Sequence, residues 1–240
     1  MTAGLRSQDV RVIIPCLDEE AAIAPLVRAV LATLDPVRDR VIVVDNGSSD
    51  RTAELARSEG AEVVLEPERG YGRACRAGLL AAGAGIALFM DGDGADDPHD
   101  LGSVLEPVRA GAADLVVGLR RDLDQRSMTL QQRVGNRLAT MAISVVCGTS
   151  VTDLGPMRAI AVDRLLALQL SAKTYGWSTE MTVKALRAGY RYREVPVRYH
   201  QRVGVSKVSG TWSGSVRAGF RIVWTAARWS RWRPAAMPAR

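Results

Sequence analysis

Short apolar runs alternate with amphipathic stretches along this chain, and the alternation predicts a repeating order of strands and helices. Val10 to Ile14 is a β-branched run ended by Pro15. Glu19 to Leu34 then places Ile23, Leu26, Val27, Val30 and Leu31 at helical spacing. Val41 to Val44 reads as a second strand, stopped by Asp45-Asn46-Gly47-Ser48-Ser49-Asp50. Ser49 or Asp50 can cap the helix that carries Ala53, Leu55 and Ala56. Val63 to Leu65 predicts a third strand, Gly70 to Ala82 a small-residue helix, and Ile86 to Met90 a fourth strand. A helix follows Pro98, and Leu115 to Val117 is a fifth strand. Later, one helix ends near Cys147, and Trp177-Ser178-Thr179-Glu180-Met181 precedes another that runs through Leu186 and is ended by Gly189. Runs this short and this apolar belong to strands covered on both faces. The fold class expected is therefore α/β, a mostly parallel, doubly wound sheet flanked by helices.

In such sheets ligands bind beyond the C-terminal strand ends. Cys16-Leu17-Asp18-Glu19, Asp45-Asn46-Gly47 and Asp91-Gly92-Asp93 all fall at that edge. Asp91 and Asp93 stand two apart at the end of the Ile86 strand, so both carboxylates aim at one spot. Like charges that close repel, and a hard divalent cation with oxygen ligands relieves them. A solvated acidic turn is the competing reading, with Asp97 capping a helix that has Pro98 at its first position. The two readings are compatible. Arg69-Gly70-Tyr71-Gly72-Arg73 is glycine-rich before a helix and suits close backbone approach to a phosphate-bearing ligand, although a plain turn explains it equally well.

Composition narrows the class. The 240 residues are 47% hydrophobic and 24% charged, enough for one large core. Cys16, Cys75 and Cys147 lie far apart and are odd in number, which fits a reducing compartment without a disulfide framework. The first residues lack the apolar core of a secretion signal, and no uncharged apolar run reaches the roughly 20 residues of a membrane span. A net charge of +6 and a pI near 9.6 favour anionic partners.

Three segments together carry a family resemblance: Val12-Ile13-Ile14-Pro15-Cys16-Leu17-Asp18-Glu19-Glu20, Val43-Val44-Asp45-Asn46-Gly47-Ser48-Ser49-Asp50 and Met90-Asp91-Gly92-Asp93. They resemble the signature set of family-2 glycosyltransferases, inverting enzymes of the GT-A fold with a Rossmann-like sheet that binds nucleotide sugars. Within that family the chain most resembles the polyprenyl-phosphate and dolichyl-phosphate sugar synthases. Thr152-Asp153-Leu154-Gly155-Pro156-Met157-Arg158 and Arg202-Val203-Gly204-Val205-Ser206-Lys207 stand where that group has its later motifs. The resemblance implies a hexose transfer from a UDP- or GDP-sugar to a polyprenyl phosphate, with Mn2+ or Mg2+ as cofactor and no nucleic-acid partner. The alternatives are a soluble hydroxyl acceptor on the same fold, or a nucleotide-sugar-binding protein without catalysis.

Roles follow from the same resemblance. Pro15, Cys16, Asp18, Glu19, Asp45, Gly47 and Gly70 belong to the nucleotide-sugar pocket, with Asp45 accepting a hydrogen bond from the base. Asp91 contacts sugar or ribose, Asp93 holds the metal, and both are assigned to it. Where those synthases carry a glutamine ligand this chain has Ala95, and Asp96 and Asp97 are the candidates to replace it. Arg120 and Arg133 match positions that hold acceptor or donor phosphates. Arg202, Ser206 and Lys207 are expected to close over the diphosphate. If the acceptor is a hydroxyl, Asp153 is the candidate base; capping its own turn is its other reading. Glu180 stands where the family keeps an acid near sugar or acceptor, or simply serves a helix start.

The domain reading is a catalytic domain over residues 1–210, an amphipathic basic and aromatic helix over 211–233, and a disordered tail over 234–240. Trp212, Phe220, Trp224, Trp229 and Trp232 fall among Arg217, Arg221, Arg228, Arg231 and Arg233 in that helix. Such a helix suits a bilayer interface, and it equally suits docking on the catalytic domain or a homodimer contact. The expected location is the cytoplasm, peripheral on the inner face of the cytoplasmic membrane.

Overall fold

Seven strands form one sheet in the order β3-β2-β1-β4-β6-β5-β7. The structure is a computed structural model and describes residues 9–121, 130–204, 224–225 and 227–233. In chain order the elements are β1 (Val10–Cys16), α1 (Glu20–Leu31), β2 (Arg40–Asp45), α2 (Thr52–Ser58), β3 (Glu62–Leu65), α3 (Tyr71–Ala82) and β4 (Ile86–Phe89). There follow α4 (Leu101–Arg109), β5 (Leu115–Arg121), α5 (Leu130–Cys147), β6 (Arg158–Ala161), α6 (Val162–Ala167), α7 (Trp177–Arg187) and β7 (Tyr192–Arg198).

The apolar runs are continuous because the sheet is covered on both faces. Val12 and Ile14 of β1 point into one core with Ile23, Val27 and Leu101, supplied by α1 and α4. Ile13, between them, points into the other core with Leu79, Leu165 and Met181, supplied by α3, α6 and α7. The same alternation recurs in β2 and β4, where Val43 and Leu88 join the first core and Val44 and Phe89 the second. Burying each such side chain contributes about 1.5–3 kcal/mol.

The five strands expected from the apolar runs are present, and β1, β2, β3 and β4 pair in parallel. Two further strands, β6 and β7, are added by the structure. β6 holds Arg158 and two alanines, and it lies antiparallel to both β4 and β5. β7 alternates, with Val195 and Val197 buried and Pro196 and Arg198 exposed, and it pairs in parallel with β5. Helix ends also move. α1 stops at Leu31, three residues short of the expected end. The helix after Pro98 begins as a 3-10 turn over Pro98–Asp100, with Asp97 accepting from the His99 amide.

Because β6 runs backwards, its start lies beside the end of β4, Arg158 opposite Phe89. The loop before β6 is thereby delivered to the edge where β1, β2, β4 and β5 end. No helix among the described residues is long and apolar enough to cross a membrane.

Candidate active site

A cavity of about 560 Å3 opens at that edge, with Pro15, Cys16, Glu19, Asn46 and Gly70 on one wall. The loops after β1 and β2 are stitched together behind it. Asp18, at a φ of +50°, accepts from the Ser49 amide at 2.7 Å and returns its own amide to Ser48 Oγ at 2.9 Å. Asp45 accepts from the Ser48 amide at 3.0 Å. Asp18 and Asp45 thus tie the two loops together, and neither they nor Gly47 are among the lining residues. Asn46 supplies the lining side chain. Its amide donates to the Glu66 and Glu68 carbonyls, and its oxygen accepts from the Gly70 amide at 2.6 Å. Gly70 has a φ of +151°, and a Cβ there would lie 2.3 Å from the Lys173 carbonyl oxygen. The glycine is therefore required by the loop before α7 as much as by any ligand.

The strand end at Asp91-Gly92-Asp93 forms the floor. A Cβ on Gly92 would lie 2.4 Å from Cys16 Sγ, so only glycine lets this segment run against β1. Tyr71 donates its hydroxyl to Asp91 at 3.1 Å. Burial and then the neighbouring Asp93 charge push Asp91 up to about 6, against the opposing pull of Tyr71, Arg202 and Arg120. Burial also raises the Cys16 thiol, with Glu19, Asp45, Asp91 and Asp93 adding to the effect. That thiol is inert at neutral pH.

Asp96 lies beneath the floor, 1% exposed. One oxygen accepts from the Asp91 amide at 3.1 Å, while the other is buried without a hydrogen-bond partner. Burial and the Asp91 charge hold its carboxyl well above the usual range. Asp97 is committed elsewhere. It caps the 3-10 turn and meets His99, His200 and Arg198, so it is no replacement for the missing glutamine. Ala95 itself packs under the Tyr199 ring.

Among the described residues, no group of three or more His, Cys, Asp or Glu side chains could hold a metal ion. Asp91 and Asp93 nonetheless supply an all-oxygen acidic pair on the cavity floor. That donor chemistry fits a hard Mg2+ or Mn2+ whose other ligands come from a diphosphate and water.

The opposite wall is cationic. Arg120, at the end of β5, lines the cavity and is gripped by Asp153 through Nε at 2.8 Å and Nη2 at 2.5 Å, with the Arg120 backbone amide donating at 3.0 Å. The guanidinium also lies 5.1 Å from the Tyr199 ring centre. Burial pulls the Arg120 pKa down, but the Asp153 carboxylate more than reverses this. Both oxygens of Asp153 are engaged by the arginine, and the residue is only 4% exposed and outside the lining. In this placement Asp153 orients Arg120. Arg202 reaches Asp93 at 2.5 Å, and its loop is tied to the floor by the Val203 amide on the Asp93 carbonyl and the His200 amide on the Ala95 carbonyl.

Arg133 is the fourth residue of α5 and does not line the cavity. Glu180 is fully buried, accepting from the Ser171 and Ala172 amides and pairing with Lys184 at 2.7 Å. It holds the loop that packs on Gly70 and is not among the residues lining the cavity. Arg158 donates to the Ser178 and Gly155 carbonyls and fixes the loop before β6. Ser206, Lys207, Trp212, Arg217, Phe220 and Arg221 lie outside the described residues. Farther along, Lys184 sits 3.9 Å from the Trp229 ring centre and 5.2 Å from that of Trp232, so these two indoles dock on the domain.

Sequence reasoning missed Asn46, Tyr71 and Tyr199. Asn46 stands beside the expected Asp45, and Tyr71 lies inside the glycine-rich segment. Tyr199 continues the period-2 alternation of Val195 and Val197, a signal sufficient to place it on the inner face.

Comparison with known proteins fits this geometry. The model of the family described as Glycosyl transferase family 2 matches residues 11–160. A glycosyltransferase of Mycobacterium tuberculosis is 40% identical over 210 residues, covering 87% of this chain and 94% of that one. An undecaprenyl-phosphate mannosyltransferase of Micrococcus luteus is 32% identical over 233 residues, covering 90% and 94%. Among solved structures, the Mycobacterium tuberculosis glucosyl-3-phosphoglycerate synthase, crystallised with Mn2+, UDP-glucose and phosphoglyceric acid, superposes with a TM-score of 0.70. It is 21% identical, with 92% of this chain and 80% of that one covered, and the shared fold is GT-A. The chain belongs to glycosyl transferase family 2 and is a glycosyltransferase.

Proposed function

We propose that this glycosyltransferase moves a hexose from a nucleoside-diphosphate sugar to a polyprenyl phosphate, with inversion at the anomeric carbon. The observation that carries the reading is the pairing, across one cavity, of an acidic floor at Asp91 and Asp93 with a cation at Arg120 that Asp153 and Tyr199 hold in place. Base and ribose lie along Pro15, Glu19, Asn46 and Gly70. Asp93, with Asp91 beside it, would hold a divalent cation, and that cation would supply charge neutralisation for the departing nucleoside diphosphate. Arg202 transfers its charge from Asp93 to the diphosphate when donor binds.

The acceptor phosphate sits against Arg120, its oxygen facing the anomeric carbon on the side away from the diphosphate. The new bond forms between that oxygen and the anomeric carbon as the bond to the diphosphate breaks. A phosphate oxygen is already ionised near neutral pH, so no protein base is needed and positioning suffices. This agrees with a site in which Asp153, the base expected for a hydroxyl acceptor, is occupied by an arginine. The undecaprenyl-phosphate relative supports the acceptor class, and the Mn2+ and UDP-glucose neighbour supports the donor class.

The test is incubation with UDP-glucose or GDP-mannose, with and without undecaprenyl phosphate and Mn2+ or Mg2+. Metal-dependent lipid-linked product is expected. Product formed only on a soluble alcohol would sink the acceptor assignment.

A further inference from the structure

A buried ion pair stands beside the segment that leads into α7. Glu180 and Lys184, one turn apart on that helix, meet at 2.7 Å and are 0% and 1% exposed. A pair this deep adds little net stability, because desolvation offsets most of the attraction and apolar residues of similar volume often serve as well. What the two groups hold is more informative. Lys184 donates to the Gln169 carbonyl at 2.8 Å, and Gln169 carries a φ of +49°, a strained value for a residue with a side chain. Glu180 accepts from the Ser171 amide and hydroxyl, each at 3.1 Å, and from the Ala172 amide at 2.7 Å.

The next carbonyls of that segment close on the cavity wall. Those of Ala172 and Lys173 fill the space that side chains would take on α3: a Cβ on Gly72 or Gly70 would fall 2.1 Å or 2.3 Å from their oxygens. The Lys173 oxygen also accepts from the Arg73 amide at 3.2 Å. The first turn of α3 is thus set against this segment. Gly70 and Tyr71 enter the cavity lining from that turn, and Thr174 and Tyr175 enter it just beyond the two carbonyls. Tyr71 in turn donates to Asp91 on the floor. Contacts therefore run without a break from the ion pair to the acidic floor.

We propose that Glu180 and Lys184 are positioning residues for the donor: they set residues 169–173 against α3 and so fix Gly70 and Tyr71, on the reading that a nucleoside diphosphate lies along Gly70 and above Asp91. Neither residue touches the donor. Groups one contact removed from a site fix the orientation of those that do touch the ligand.

Calorimetry of the full chain with UDP or GDP in the presence of Mn2+ reads the effect. Glu180→Gln alone leaves the Lys184 ammonium buried without its carboxylate and endangers the fold. Glu180→Gln combined with Lys184→Met removes both charges, and circular dichroism and urea unfolding check that this double variant folds. It is expected to bind nucleotide about tenfold more weakly, the scale of losing an outer support. Tyr71→Phe is expected to weaken wild-type binding about threefold, the loss of one hydrogen bond, and to change little in the double variant, where the hydroxyl is no longer held on Asp91. Asp114→Asn disturbs another buried charge, paired with Arg164 and Arg191 at the end of β5 away from Arg120. It is expected to lower stability and leave nucleotide affinity unchanged. The proposal is overturned if the folded double variant binds as tightly as the wild type, if the two losses simply multiply, or if Asp114→Asn weakens binding as much. A wild type that binds neither nucleotide overturns the donor reading and the proposal together, whereas a wild type that binds beside an unaffected double variant overturns the proposal alone.

Discussion

The two halves of the sheet treat charge differently. On the side of β1, β2 and β4, carboxylates crowd together at the cavity floor, with Arg202 on Asp93 as the near cation: Asp91 is still pushed up to about 6 and Asp96 keeps an unbonded buried oxygen. On the side of β5, β6 and β7, each buried charge has its partner or its carbonyls, as in Arg120 with Asp153, Lys184 with Glu180, and Arg158 with two backbone oxygens. The first half stores repulsion that a cation and its ligand can relieve. The second pairs Arg120 and Lys184 with carboxylates and sets Arg158 on carbonyls, and it aims one arginine at the cavity. The contrast separates a region organised around something that arrives from one organised around itself.

Removing the acidic floor should have the largest effect. Asp93→Ala is expected to lower metal-dependent turnover roughly 10³-fold, the scale of losing transition-state charge stabilisation, while thermal unfolding stays close to wild type. A variant that keeps its metal-dependent rate would remove Asp93 as the ligand. Next comes the paired side. Asp153→Ala strands a buried guanidinium and is expected to cost about 3 kcal/mol of stability, read by urea unfolding. Adding Arg120→Met should restore most of that stability without restoring transfer. If the double variant were as active as wild type, the arginine would have no part in the reaction.

What could be read along the chain divides along the same line. Val12 to Ile14, Val41 to Val44 and Ile86 to Phe89 are apolar because helices cover both their faces, so runs alone locate the strands and the clusters that follow them. β6 was hidden because an arginine occupies a buried strand, tolerable only once Ser178 and Gly155 offer carbonyls. Asp153 looked free because its partner is 33 residues away. Asp97 was correctly legible as a cap, since the cap is local, but its histidine at position 200 was not. Local chemistry is visible in spacing, whereas pairing across the sheet needs the register.

Two smaller effects refine the comparison. Burial raises the Asp97 carboxyl, but hydrogen bonds from His200 and His99 and the charge of Arg198 bring it down to about 2. A lowered carboxylate stabilises the fold above its unfolded pKa near 4, and that contribution disappears as pH falls through about 2. Its size is about 1–2 kcal/mol, reduced because its partners face water. Asp97→Asn should accordingly flatten the stability profile between about pH 4 and 2; an unchanged profile would contradict the assignment. Arg202→Ala frees Asp93 and is expected to tighten Mn2+ binding to the donor-free protein severalfold, about 1 kcal/mol, by calorimetry. Weaker binding would mean that Arg202 does not compete with the cation.

The stereochemistry and linkage of the product test the central claim most directly. NMR of the lipid product made from an α-linked nucleotide sugar, undecaprenyl phosphate and Mn2+ is predicted to show a β-linked sugar on a single phosphate. An α-linked product, or a sugar carried only by an alcohol oxygen, would contradict direct displacement by a phosphate held at Arg120.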